Sequence, residues 1–521
     1  MRARRGPCAA VAAVLVLLGA TGCGREAAGS RLLELALETS PNRLDPAFAV
    51  DVAEGEICSL VFDGLVGYGP DGAMITGIAR DWEVEDGGKR YRFHLDPRAS
   101  FSNGKAVRAG DVAASFARVL SPATASPRAW VLERIRGAAS FRAGTSDAIS
   151  GLTTPDDSTF VIELEEPFAP FLSMLALPAA RVVDVQAAPE AGVPIGAGPW
   201  RVSAWVRGDY VTLAPNPHHP RAAKGIEGLR YRVIPEPFTR MAEFEAGSID
   251  VLEIPDAEVA RFRADAGTAA RVLKRPELRV FYLGLNNRRF TDVRVRRALN
   301  HAVNVRALIR VLASGEAVVA HGSVPPALPG YRDRSGYEYD PGLARRLLAE
   351  AGHPDGIDLE IWQRESAEGN RVAEAVQGYL LAAGVRATLV RREWSAYKEA
   401  VNAGRVDAFL LDWVADYPDA ENFLFPLFHS SNHGGGGNRS FFSDSGIDRM
   451  LEDAARETDP GGRAERYARV DSLVYAQAPW IYLFFPTSFH IVSERVSGYR
   501  LPVVYLGNDF SGVVVRSPEA P

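Results

Sequence analysis

The chain has 521 residues and only three cysteines, so disulfide bonding can be at most a minor theme. Cys8 and Cys23 fall within the first 23 residues, which leaves Cys58 alone in the apolar stretch 57–62. A solitary cysteine in such a stretch is expected to be a buried, inert thiol rather than a nucleophile. Enzyme signatures are missing too. There is no G-x-S-x-G elbow, no phosphate-binding P-loop and no H-E-x-x-H pair. The chain is therefore expected not to be an enzyme and to carry no cofactor. Gly67-Tyr68-Gly69-Pro70-Asp71-Gly72 has the spacing of a dinucleotide loop, but it ends in Pro-Asp-Gly and opens no helix, so it reads as a hairpin turn. His429 and His433 are spaced H-x-x-x-H around a loop with no evident third ligand, and no metal site is assigned to them. His218-His219 sits among prolines and reads as an exposed loop. An excess of either charge is also absent. The net charge is −6, and no long basic run follows residue 23, which argues against nucleic acid as a partner. No segment after the N-terminal one is long and apolar enough to be a transmembrane helix.

What remains is ordinary for a globular protein. Apolar residues make up 47% and charged residues 24%, which excludes wholesale disorder. The length suggests roughly three compact units. The N-terminus carries an address. Arg2, Arg4 and Arg5 precede the mostly apolar run 9–20, which is short for a bilayer span but suits the core of a secretion signal. Thr21-Gly22-Cys23 follows, and small residues before a cysteine resemble the lipobox of bacterial lipoproteins. That resemblance implies cleavage before Cys23 and acylation of its thiol, with a stable anchor because each buried methylene contributes about 0.8 kcal/mol. Ala20 stands where leucine is usual, and an ordinary cleaved signal with an incidental cysteine is the other reading. The small, polar residues 24–30 suit a tether.

Along residues 32–183 short strands and turns dominate. The segments 91–95 and 159–164 alternate as half-buried strands do, and 110–120 is a helix candidate with Asp111 as its cap. From about residue 292 the pattern changes. Asp340-Pro341 opens a helix that Gly352 closes. Strands are expected at 357–362, 387–391 and 406–413, with helices at 369–383 and 395–403 between them, and 480–486 is again strand-like. Alternating strands and helices imply an α/β unit. The glycine tract 434–437 reads as an exposed flexible loop.

Ligands of α/β sheets bind beyond the carboxyl ends of the strands. Arg364 and Asp416 follow two such predicted ends, so an anion-binding and a cation-binding group could face one crevice. A short peptide presents the complementary charges, and a dipeptide spans about 7 Å. Trp362, Trp413 and Tyr417 would supply apolar walls. The same spacing is also compatible with plain surface groups or a structural ion pair.

A set of ordered motifs adds to this. It includes Leu44-Asp45-Pro46, Phe62-Asp63-Gly64-Leu65-Val66 and Ala79-Arg80-Asp81-Trp82-Glu83-Val84. Phe101-Ser102-Asn103-Gly104, Gly196-Ala197-Gly198-Pro199-Trp200 and Arg294-Val295-Arg296-Arg297-Ala298-Leu299-Asn300 follow. Trp413-Val414-Ala415-Asp416-Tyr417-Pro418-Asp419 closes the series. Over nearly the whole mature chain this resembles the family-5 solute-binding proteins of ABC importers, the oligopeptide-, dipeptide- and nickel-binding group. The resemblance implies an α/β, bilobal periplasmic-binding-protein type II fold with an extra small domain in the first lobe. It places lobe one at 31–285 plus 480–521, the extra domain at 61–186, lobe two at 286–479, and the crossings near 282–287 and 479–485. It implies that Asp416 pairs with a peptide's amino terminus, that backbone groups of Trp413, Val414 and Ala415 hold the main chain, and that Gln363-Arg364 matches a pair contacting the carboxylate. Departures are visible. Asp412 replaces a glycine, Arg128 stands where Ser-Pro-Tyr is common, Ala420 replaces a proline, and Val401 and Leu410 stand where some members carry arginines. The expected protein is a monomeric, lipid-anchored, extracytoplasmic receptor that hands short peptides to a permease driven by ATPase subunits. A receptor for a nickel chelate, haem or another small solute is the alternative.

Overall fold

The computed structural model describes residues 31–516 apart from 191, 313 and 314. Cys23 and the expected signal lie outside the described residues.

The first unit is built on a four-stranded sheet in the order Leu32–Leu37, Gly228–Val233, Tyr210–Pro215, Trp200–Val206. The first two strands run parallel and the others antiparallel. Leu33, Leu35 and Leu37 point inward on the strand's alternation and pack with the helix Val52–Val61 around Trp200. Cys58 is fully buried in this core, and burial pushes its thiol pKa up, as expected of an inert cysteine.

Inserted after that helix is a smaller antiparallel sheet in the order Ala79–Glu85, Arg90–Leu95, Thr159–Glu163, Leu152–Asp156. The helix Ala109–Leu120 covers it, with Phe116 edge-on to Phe160 at 5.7 Å between ring centres. Asp111 is not this helix's cap residue. It sits inside the first turn, and its carboxylate accepts the Arg108 N–H at 2.9 Å. The glycine motif at 67–72 is a hairpin joining Val66–Tyr68 to Met74–Thr76, as its turn residues indicated.

The second unit holds a six-stranded sheet in the order Val318–Val319, Trp480–Phe485, Arg279–Leu285, Ala408–Val414, Ile357–Arg364, Val385–Arg392. Ile357–Arg364 is parallel to both Val385–Arg392 and Ala408–Val414. The helices Ala367–Ala382 and Trp394–Asn402 make the connections. The helix Pro341–Glu350 starts where expected, with the Asp340 carboxylate accepting the Leu343 N–H at 2.8 Å.

The strand pairing assigns two segments to the second sheet. Arg279–Leu285 and Trp480–Phe485 lie inside the second sheet, because Val280 and Tyr282 fill the core on one of its faces and Phe281, Leu283 and Leu285 fill the other. The chain therefore leaves this sheet at residues 277–278 and at Pro486, where the Glu277 N–H donates to the Pro486 carbonyl at 3.0 Å. Beyond these points Val272–Pro276 and Thr487–Val492 pair with each other in a separate three-stranded sheet.

Two expected surface loops are partly buried instead. The His219 ring nitrogen Nε2 lies 3.0 Å from the enclosed Asp63 carboxylate. Gly434 is packed, its N–H donating to the Asn438 carbonyl at 3.0 Å, so the glycine tract is a tight turn against the protein. Among the described residues no helix is long and apolar enough to cross a membrane.

Candidate functional site

The strand Ala408–Val414 ends at the boundary between the two units, and its continuation is tightly held. The Ala415 N–H donates to the Leu278 carbonyl at 2.9 Å. Asn422, on the helix Glu421–Phe428, fixes the turn from both sides. Its Oδ1 accepts the Asp416 N–H at 2.9 Å, and its carbonyl accepts the Trp413 indole N–H at 2.8 Å. The Asp416 carboxylate lies at the boundary, with its Oδ1 3.6 Å from Nη1 of Arg128 in the first unit.

Arg128 is equally fixed. Its Nε donates to the Ala49 carbonyl at 3.0 Å and its Nη2 to the Val50 carbonyl at 2.9 Å, while its backbone N–H donates to the Ser126 hydroxyl at 3.1 Å. Ala49, Val131, Leu177, Pro178, Ala179 and Tyr505 wall the space around the pair. That space is about 10 Å³, room for about one water. Burial raises the Asp416 pKa above the usual carboxylate range, and the Arg128 charge offsets part of the shift.

Arg364 is exposed at the end of its strand, with its guanidinium 5.9 Å from the centre of the Trp394 ring. Trp362 is on the same strand face, its indole N–H donating to Glu360 at 2.8 Å, with the Arg392 guanidinium 5.1 Å from its ring centre. Trp362 pairs with Phe409, so Arg364 lies level with Leu411. Asp416 lies five residues further along the chain, two of them past the end of the strand at Val414.

Two expected site residues do not face this crevice. Gln363 is turned by the strand's alternation to the opposite face, where it is 1% exposed and its Nε2 donates to Asn370 at 2.9 Å. Tyr417 is buried, not a cleft wall, and its hydroxyl donates to the Glu421 carboxylate. Trp413 is half-buried, Ala415 is buried, and the Val414 side chain is exposed. Asp412 adds no free acid to the site, because Arg279 Nε holds its carboxylate at 2.8 Å. Val401 and Leu410 are core residues. The His429 ring bonds Ser431 at 2.7 Å and the His433 ring bonds the Phe442 carbonyl at 2.9 Å. Among the described residues no three His, Cys, Asp or Glu side chains gather as a metal site. Sequence reasoning missed the Arg128–Asp416 pair, although Arg128 was visible as a departure, and missed Tyr505, which the C-terminal tail brings back from far along the chain.

Comparisons with known proteins agree with this architecture. The family model of bacterial extracellular solute-binding proteins, family 5, matches residues 73–435. A heme-binding protein A of Haemophilus influenzae is 29% identical over 449 residues, 81% of this chain and 81% of that protein. The dipeptide-binding protein of Escherichia coli is 29% identical over 453 residues, 82% and 83% of the two chains. Among solved structures, the unliganded open form of the murein tripeptide-binding protein MppA superposes with a TM-score of 0.80 at 25% identity, covering 93% of this chain and 97% of that one. HbpA2 of Haemophilus parasuis superposes with a TM-score of 0.79 at 27% identity, covering 93% and 100%. The fold is thus the bilobal, type II fold of periplasmic binding proteins. The chain belongs to the family-5 bacterial extracellular solute-binding proteins, a family of substrate-binding proteins rather than enzymes.

Proposed function

We propose that this protein captures short peptides between its two lobes and delivers them to the permease of an ABC importer. The observation that carries the reading is the placement of Asp416 at the lobe boundary, 3.6 Å from Arg128 of the other lobe, with Arg364 exposed at the end of the neighbouring strand. The ligand's amino terminus would pair with Asp416 and its carboxylate with Arg364. Main-chain capture has support in the strand geometry. The Ala415 N–H is spent on Leu278, so the N–H and carbonyl of Val414 face the other edge, and Ile357–Arg364 has already ended there. A peptide could add as a strand at that edge, which supplies affinity without reading side chains. The relatives named for dipeptide and murein tripeptide binding fit this reading.

Lobe one would comprise 31–276 and the segment from 487 onward, lobe two 279–485, with 61–186 as the smaller domain of lobe one. Two crossings permit a hinge without separating the lobes. Closure around the ligand would be what the permease recognises, with ATPase subunits driving release, so no ATP site is expected in this chain. The receptor would work as a monomer held on the outer side of the membrane by acyl chains on Cys23. The haem relative keeps a second ligand class in play.

The test is thermal unfolding of the protein lacking residues 1–30 against di- to pentapeptides, haem and nickel chelates. A ligand at about a hundred times its dissociation constant adds about 2.7 kcal/mol of stability. Stabilisation by free peptides is expected. Stabilisation by haem or a chelate alone would replace the substrate class and leave the fold standing.

A further inference from the structure

A second cavity lies within the first unit, where the end of the helix Val52–Val61, the hairpin 66–76 and the tail 506–511 meet. Its volume is about 60 Å³, room for about four waters. That is far below the roughly 300 Å³ at which pockets for larger ligands begin. Arg181 forms one wall. Its backbone pairs with Gly64 in a short antiparallel bridge, and the residue is only 5% exposed. Its guanidinium makes one hydrogen bond among the described residues, from Nη2 to the Ala176 carbonyl at 2.9 Å. Nε is buried with no partner. Nη1 faces Gly67, a further lining residue, and a Cβ on that glycine would lie 3.7 Å from it. The missing side chain at Gly67 therefore leaves space open in front of a free donor.

The charge in this space is unbalanced. The Asp63 carboxylate is already taken, by His219 Nε2 at 3.0 Å and by Arg221 Nη2 at 3.3 Å. His219 Nδ1 accepts the Arg221 backbone N–H at 3.0 Å, so the ring proton is on Nε2 and the imidazole is neutral. Asp63 and Arg221 thus offset each other and leave Arg181 over. Asp509 on the tail is partly exposed and accepts the Ser511 N–H at 2.9 Å, and among the described residues it forms no ion pair with either arginine. Burial pushes the Arg181 pKa down, and Asp63 recovers only part of the shift. A buried cation with unused donors is costly, and a small anion beside it removes that cost through charge-assisted hydrogen bonds.

We propose that this cavity binds a small monovalent anion, a halide or a compact carboxylate, with Arg181 as its principal partner. Bound there, the anion ties the hairpin and the tail to the turn at Asp63. The same tail carries Tyr505, which walls the space at Asp416. The inference does not depend on the peptide reading.

The experiment follows thermal unfolding of the full chain while sodium gluconate is exchanged for sodium chloride or sodium formate at constant ionic strength. Gluconate is too large for the cavity and serves as the reference. The midpoint should rise saturably, by about 2 °C at a hundredfold excess over the dissociation constant. A rise with chloride alone assigns a halide site, and a rise with formate alone assigns a carboxylate site. Arg181→Met fills the wall with an apolar chain and should abolish the rise. No rise with either anion, or an equal rise in Arg181→Met, overturns the proposal. Crystals of the wild-type protein soaked in bromide and in formate give a readout that does not depend on the variant folding. Density for either ion at hydrogen-bonding distance from Arg181 Nη1 is expected, and waters alone in both soaks overturn the assignment.

Discussion

Replacing Asp416 by asparagine keeps the side chain's shape and removes its charge, so it isolates the electrostatic part of ligand capture. A ligand ammonium about 3 Å from the carboxylate, at an effective dielectric of about 20, is attracted by about 5 kcal/mol. A third of the Asp416 side chain remains open to solvent, which reduces the gain. Breaking a buried ion pair typically costs about 3–5 kcal/mol, and the exposure argues for the lower end. A loss of about 3 kcal/mol corresponds to roughly 100-fold in dissociation constant. The change acts in the same direction through Arg128, whose guanidinium would then face the ammonium with no carboxylate between them. The assay is calorimetric titration of Asp416→Asn with the best-binding peptide from the thermal panel. Circular dichroism and the unfolding midpoint of the unliganded variant confirm that it folds. An affinity within about threefold of wild type, equivalent to less than about 0.7 kcal/mol, would refute the reasoning.

Arg364→Gln should weaken binding of a free-acid dipeptide and leave its C-amidated form unchanged, and an equal loss for both forms would show that Arg364 acts only through structure. Glu421 is 4% exposed, and burial raises its pKa to about 7 despite the Tyr417 hydroxyl. An acid whose folded pKa is raised binds protons more tightly in the folded state. Its stability contribution is therefore full below about pH 4.5 and is lost as pH rises toward 7. Glu421→Gln removes this titration, so its stability relative to wild type should rise by about 3 kcal/mol between pH 4.5 and 8, measured by urea unfolding at each pH. Cys58 is buried and its thiol is pushed up in pKa, so a thiol reagent should label the protein lacking residues 1–30 only after unfolding.

The alternating elements of the second lobe were legible because each carries its own punctuation. Asp340-Pro341 opens a helix, Gly384 and Gly404 end two others at positive φ, and strands of period two lie between them. The sheet that two segments join was not legible for a physical reason. Residues 279–285 and 480–485 are apolar on both faces, so nothing in their pattern says which sheet they join, and only the pairing with Ala408–Val414 decides it. Period two also governs which neighbour faces the ligand. Arg364 and Gln363 are adjacent in sequence but on opposite faces of one strand, so a two-residue motif could supply at most one side chain to the crevice. Tyr417 was read as a wall because aromatic residues suit clefts, but the buried Glu421 carboxylate needs a donor and draws the hydroxyl inward. The Arg128–Asp416 pair joins residues 288 positions apart in the chain, and no local spacing encodes such a contact.

The most direct test of the account is calorimetric titration of the protein lacking residues 1–30 with one unmodified short peptide and with the same peptide acetylated at its amino terminus. Saturable one-to-one binding of the free peptide, lost on acetylation, is the predicted result. Equal binding of both forms, or of neither while haem or a metal chelate binds, would contradict peptide capture through Asp416.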